Sequence, residues 1–177
     1  PPQKLTCNLT LAQSPAIRGL RLGMTSDELF AIFPASYDRE EFDRAQKLKT
    51  AVLPPNYGHT IFSFSVSSYT TKDRFTGISD FNFELFDGRL VSITAQYSNV
   101  PNFDSLAQFM EIVTKQFGLP EFKEWVPELN GLSLLCEGFT FHAHGIGSIT
   151  LIDPSFKKIM EDRRKTDEVK KREGFKL

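Results

Sequence analysis

The chain has 177 residues, 40% of them hydrophobic and 24% charged, with a formal net charge of −1 and a pI near 6.4. That composition describes a globular chain, long enough for one ordinary domain or for two small halves sharing a core. The balanced charge and scattered basic residues argue against a nucleic-acid footprint, and no apolar run approaches the length of a bilayer-spanning helix.

Residues 1–15 are polar and irregular, with a short strand expected over residues 5–11. The chain begins Pro1-Pro2 rather than with Met, so the expectation is a mature product whose signal peptide has been removed. Cys7 lies in this stretch and Cys136 lies near the other end. In a secreted protein the two would pair and close a long loop; otherwise they are two unrelated buried thiols. Neither belongs to a C-x-x-C pair, which disfavours a zinc ribbon or a thioredoxin-type site.

Residues 17–30 read as a short extended run, a glycine hinge and a capped helix start. Thr25 is the expected N-cap and Glu28, three residues on, completes a capping box. Met24 and Leu29 are spaced for a hydrophobic staple. Gly19 and Gly23 free the backbone for positive φ or for close packing where the chain turns. The helix is expected over residues 25–33 and ends at Pro34, which lacks the N–H to continue it. A second helix is expected over residues 37–49, with Phe42, Ala45 and Leu48 on one side. Pro54-Pro55-Asn56-Tyr57-Gly58 then breaks the chain.

The hydrophobic period changes from helical to two after this break. Phe62, Phe64 and Val66 alternate with Ser63, Ser65 and Ser67, and a strand is expected over residues 61–69. Phe81, Phe83 and Leu85 mark a strand over 78–86, Asp87-Gly88 is a type I′ turn signal, and Val91, Ile93, Ala95 and Tyr97 mark the return over 89–97. A helix follows over 101–117 on Phe103, Leu106, Phe109, Met110, Val113 and Phe117, stopped by Gly118. Three short strands are expected over 132–136, 139–143 and 148–152. Asp153-Pro154 then starts a C-terminal helix. From Pro154 onward there are nine Lys or Arg and five Asp or Glu. Phe156, Ile159 and Met160 are placed to dock its first turns, and the charged remainder reads as a solvated helix fraying at its end or as a tail for an acidic partner.

The predicted architecture is α+β. It consists of two similar helix-plus-antiparallel-sheet halves, residues 1–100 and 101–153, with a charged C-terminal helix or tail over 154–177. Gly19-Leu20-Arg21-Leu22-Gly23-Met24-Thr25-Ser26-Asp27-Glu28-Leu29 resembles the G-x-x-x-G-M-(S/T)-x-x-(D/E)-(V/L) opening of a family of small secreted bacterial α/β domains. That family includes the β-lactamase inhibitor protein and the small lipoprotein of the outer-membrane barrel assembly machinery. The resemblance implies a helix-loop-helix followed by an antiparallel sheet, in tandem in the inhibitor. It carries over Gly23, Met24 and Thr25 as structural residues and no binding residue.

Chemistry-bearing motifs are few. His142-x-His144 places two imidazoles on one face of a strand, with His59, Glu137 or Asp153 as the nearest candidates for a third metal ligand, but two His alone fall short of a site. No nucleophile elbow, phosphate-binding loop, dinucleotide fingerprint or H-E-x-x-H is present. The expectation is therefore no enzyme, no cofactor and no metal.

The non-core face of the first sheet would carry Ser63, Ser65, Ser67, Asn82, Glu84, Ser92, Thr94 and Gln96, a flat polar surface open to a protein partner or to water. Tyr57, Tyr69, Phe75, Tyr97 and Trp125 fall at strand ends or in loops and are the candidate aromatic rim of a binding surface, or else caps on the core edges. The expected function is a non-enzymatic, extracytoplasmic protein-interaction module, inhibitor-like or an envelope assembly factor, with an unidentified protein partner. The alternative is a small-molecule or lipid binder with an apolar pocket between sheet and helices.

Overall fold

The computed structural model describes residues 6–33, 57–66, 72–98 and 103–175. The expected helix over residues 37–49 and the rim candidate Tyr69 lie outside them.

Seven strands form one antiparallel sheet in the order β1-β2-β3-β7-β6-β5-β4. They are β1 (His59–Ser65), β2 (Ile78–Phe86), β3 (Arg89–Tyr97), β4 (Val126–Glu128), β5 (Gly131–Leu135), β6 (Thr140–Ala143) and β7 (Ser148–Ile152). Three α-helices accompany them among the described residues: α1 (Ser26–Ile32), α2 (Leu106–Phe117) and α3 (Ser155–Glu173). The fold is thus α+β with a C-terminal helix. The two expected meanders join at their last strands, where β3 pairs with β7 from Ser92↔Ile152 to Gln96↔Ser148.

One face of this sheet holds the core. Phe64, Phe81, Phe83, Leu85, Ile93, Ala95, Phe141, Ile149 and Leu151 alternate inward, and Leu29, Phe30 and Phe33 of the α1 region and Phe109, Met110 and Val113 of α2 close over them. The Phe-rich composition is spent here: Phe33 stacks on Phe64 and Phe75 with centroids at 4.6 and 5.1 Å. Close-packed rings of this kind remove large apolar areas from water.

The glycine hinge is pinned to the β2–β3 hairpin. Gly23 N–H donates to Leu90 O (2.7 Å), Leu90 N–H to Met24 O (2.7 Å), and Ser26 N–H to Gly88 O (2.9 Å). Gly23 has φ +84 and open space where a Cβ would stand, so its conformation, and not packing, calls for glycine. The capping box forms as expected: Thr25 N–H donates to Glu28 Oε2 (2.8 Å) and Glu28 N–H donates to Thr25 Oγ1 (3.2 Å). The first of these bonds holds the Glu28 carboxyl below the ordinary carboxylate range. Met24 is partly buried against the same core that holds Leu29.

Several element limits differ from expectation. Of the strand expected over residues 5–11, the described residues 6–11 form none: Cys7 makes one parallel bridge to Cys136, and a 3₁₀ turn follows at Leu11–Gln13. Helix α2 starts at Leu106 instead of residue 101, because Ser105 is the N-cap and its hydroxyl accepts from Gln108 N–H (3.3 Å). The short strand β4 is an addition. It carries Pro127, a residue that an edge strand accommodates because it need not donate inward.

Helix α3 packs on the sheet face opposite the core. Phe156 is buried with Phe86 and Val91, and Ile152 and Met160 pack alongside. Val91 reaches that face through a register shift opposite Glu84 and Leu85, the local effect of a bulge. Ile159 is 45% exposed and does not dock. The helix is held well past its first turns: Arg163 donates twice to the Asp87 carboxylate (2.8 and 2.7 Å), and Tyr57 hydroxyl donates to Asp167 Oδ2 (3.1 Å). Cys7 and Cys136 form a disulfide.

Candidate functional site: the open sheet face

Strand alternation sends every second side chain to the face that the core does not use. Register aligns these into a polar row across six strands: Ser63 beside Asn82, Asn82 beside Thr94, Thr94 beside Thr150, Thr150 beside His142, and His142 beside Ser133. At about 4.8 Å per strand the row is roughly 24 Å long. Its members bond one another. Ser63 hydroxyl donates to Asn82 Oδ1, the Thr94 and Thr150 hydroxyls lie 2.9 Å apart, and Ser133 Oγ lies 2.5 Å from His142 Nδ1. One row over, Gln96 Nε2 donates to Ser148 Oγ at 2.9 Å. These bonds hold the side chains in set orientations.

The exposed part of this face spans Ser63, Ser65, Asn82 and Gln96, with Asp80, Glu84, Thr94 and His142 half-buried. Amid these polar groups Ile61 stands 56% exposed beside Glu84. Helix α3 walls one end, and His59 there lies 2.7 Å from Glu84 Oε2.

The four aromatic candidates among the described residues are not brought together. Phe75 is 1% exposed and Trp125 5% exposed. Phe75 packs between Phe33 and Phe81. Trp125 meets Phe141 edge-on and its indole N–H donates to Pro120 O at 3.2 Å. Both are core residues rather than rim anchors, since ring burial in this sheet reaches to its ends. Tyr97 lies on the core side beside α2, where burial raises its phenol above the usual range. Among the described candidates Tyr57, with φ +53 in the turn before β1, lies beside His59 and Glu84 at the end of the open face walled by α3.

The histidine pair stacks with ring centroids at 5.6 Å. The suggested third ligands point elsewhere: His59 is four strands from His142, Asp153 accepts from Ser155 N–H (2.9 Å) at the start of α3, and Glu137 sits in the β5–β6 turn. Ser133, His142 and Glu128 have the residue types of a hydrolytic triad. However, Ser133 Oγ and Glu128 Oε2 approach the same ring nitrogen, Nδ1, at 2.5 and 3.7 Å, and Ser133 is fully buried. A triad needs serine and acid on opposite nitrogens with the hydroxyl within reach of substrate. The geometry is that of a packed polar cluster.

Burial pushes the His142 imidazole below its ordinary value, with Glu128 opposing and His144 and Lys157 reinforcing. Folding therefore favours the neutral ring. Its contribution to stability is complete above about pH 6.5 and is lost as pH falls through that value towards the lower folded one. His142→Gln is expected to flatten the decline of the urea midpoint between about pH 8 and pH 5. An unchanged decline would remove His142 as its source.

Comparison of the chain with protein-family models, curated proteins and solved structures finds no match. The class is set by the fold and this face: an α+β protein with one seven-stranded antiparallel sheet, one side of which is polar, with Ser63, Ser65, Asn82 and Gln96 exposed on β1 to β3.

Proposed function

We propose that the chain is a non-enzymatic protein-interaction module that receives its partner on the open sheet face. The observation that carries this reading is the exposed end of the polar face, Ser63, Ser65, Asn82 and Gln96 on β1 to β3, with Ile61 exposed beside it; Thr150 and Ser133, further along the row, are buried. Preoriented small polar groups around one apolar anchor suit a protein surface, because side chains already held in place lose little freedom on binding. The resemblance of residues 19–29 to the inhibitor and assembly-lipoprotein family points the same way, towards an inhibitor or an envelope assembly factor. The disulfide supports an extracytoplasmic setting, where such bonds persist.

The test is a cross-linked pull-down from envelope extract of the native host, run beside Ile61→Arg and Asn82→Arg. Both side chains are exposed, so both variants should melt like the parent chain. A partner captured by the parent and lost from both variants is expected. Equal capture by all three, or no capture, counts against docking on this face. Truncation at residue 152 is a poor substitute, because it would uncover Phe86 and Val91.

A further inference from the structure

Where α3 crosses β1 and β2, helix and sheet leave an open cleft of about 390 Å³ between them. That volume lies within the range of small-molecule sites, roughly 300–1,000 Å³. Its floor is apolar: Phe156 is buried with its ring centroid 5.5 Å from that of His59, and Met160 is half-buried beside it.

The charges around the cleft are unevenly satisfied. His59 and Glu84 satisfy each other at 2.7 Å. Glu161 is bound to Lys165 at 2.8 Å. Lys157 and Arg164 also line the cleft and are exposed, and among the described residues neither makes an ion pair with a carboxylate. They are seven residues apart on α3, two helical turns along one side and about 10 Å in rise, with Met160 between them.

We propose that this cleft binds a small amphiphilic anion, a carboxylate carried on an apolar chain or ring. The apolar part lies on Phe156 and Met160, and the carboxylate is held by Lys157 or Arg164. The polarity of the site follows from its composition. A neutral apolar ligand would leave both cations unused, and an amphiphilic cation would meet them as like charges. The site adjoins the polar face at Glu84, but it needs no protein partner to be measured and its variants differ from Ile61→Arg and Asn82→Arg, so its failure would leave the docking test untouched.

The probe is decanoate, titrated calorimetrically into the full chain below its micelle concentration, with decanol and decyltrimethylammonium as controls. Decanoate is expected to bind at least ~10-fold more tightly than either control. The double variant Lys157→Gln/Arg164→Gln, both exposed positions, should bring decanoate down to the level of decanol while leaving the melting temperature in place. Shifts of the Met160 methyl and His59 ring resonances should accompany decanoate binding. Absence of saturable binding, equal affinity for decanol, an unaffected double variant, or shifts confined to other residues would each overturn the proposal.

Discussion

Phe33→Ala is expected to remove about 3–5 kcal/mol of stability, the range for truncating a buried aromatic side chain. Phe33 ends α1 and is 2% exposed. Its ring is stacked on Phe64 and Phe75 and meets Phe81 and Phe83 edge-on, with centroids at 6.2 and 5.9 Å. Truncation would take away a ring that four others pack against, and the surrounding strands are too constrained by their ladders to collapse into the space. Such pairs are not additive, so no sum over the four is meaningful. Against a typical domain stability of about 5–15 kcal/mol the loss is large. Urea unfolding at constant m-value is the measurement. Phe33→Leu should lose much less, and Phe175→Ala, at a position 72% exposed, should lose almost nothing. A Phe33→Ala loss below about 1 kcal/mol would mean that this aromatic cluster is not close-packed.

The same cluster marks what was legible in the sequence. Strands β2 and β3 fall where period-two alternation and Asp87-Gly88 place them, and both turn residues have positive φ (50 and 75). The start of α1 follows from Thr25 and Glu28, whose reciprocal bonds are local. The start of α2 was equally available, since Ser105 and Gln108 have capping spacing.

Non-local structure was not legible. The β3–β7 pairing, which turns two meanders into one sheet, joins residues more than fifty positions apart, and periodicity carries no information about such partners. The clamp of Arg163 on Asp87 is hidden for the same reason; in the sequence Arg163 is one charge among many on a solvated helix. Aromatic residues at strand ends are ambiguous by composition alone, and Phe75 and Trp125 resolved towards the core. The polar row was half legible. Alternation assigns Ser63, Asn82 and Thr94 to the outer face, while its continuation through Thr150, His142 and Ser133 requires the register of β3 against β7.

That dependence on long-range contacts makes the disulfide the second large effect. Replacing Cys7 and Cys136 together by Ser is expected to lower stability by about 2–4 kcal/mol. The bond closes a loop with a sequence separation of 129 residues, and in the chain-entropy account a cross-link of that reach restricts the unfolded ensemble strongly. It also ties down a segment held to β5 and the β5–β6 turn by a few hydrogen bonds. Thr6 and Cys7 N–H both donate to Leu135 O (2.7 and 3.1 Å), Glu137 N–H to Cys7 O (3.2 Å) and Gly138 N–H to Leu9 O (3.0 Å). These bonds lie at the end of a five-residue strand, where backbone pairing frays readily once its tether is gone. Reduced parent protein and the double Ser variant should therefore unfold at the same urea concentration, both well below the oxidised chain. If both cysteines alkylate in denatured, unreduced protein from its native host, the bond is absent there. If the bond is present and its loss leaves the midpoint in place, the unfolded chain is already as restricted without it, and the N-terminal segment must be held by its hydrogen bonds alone.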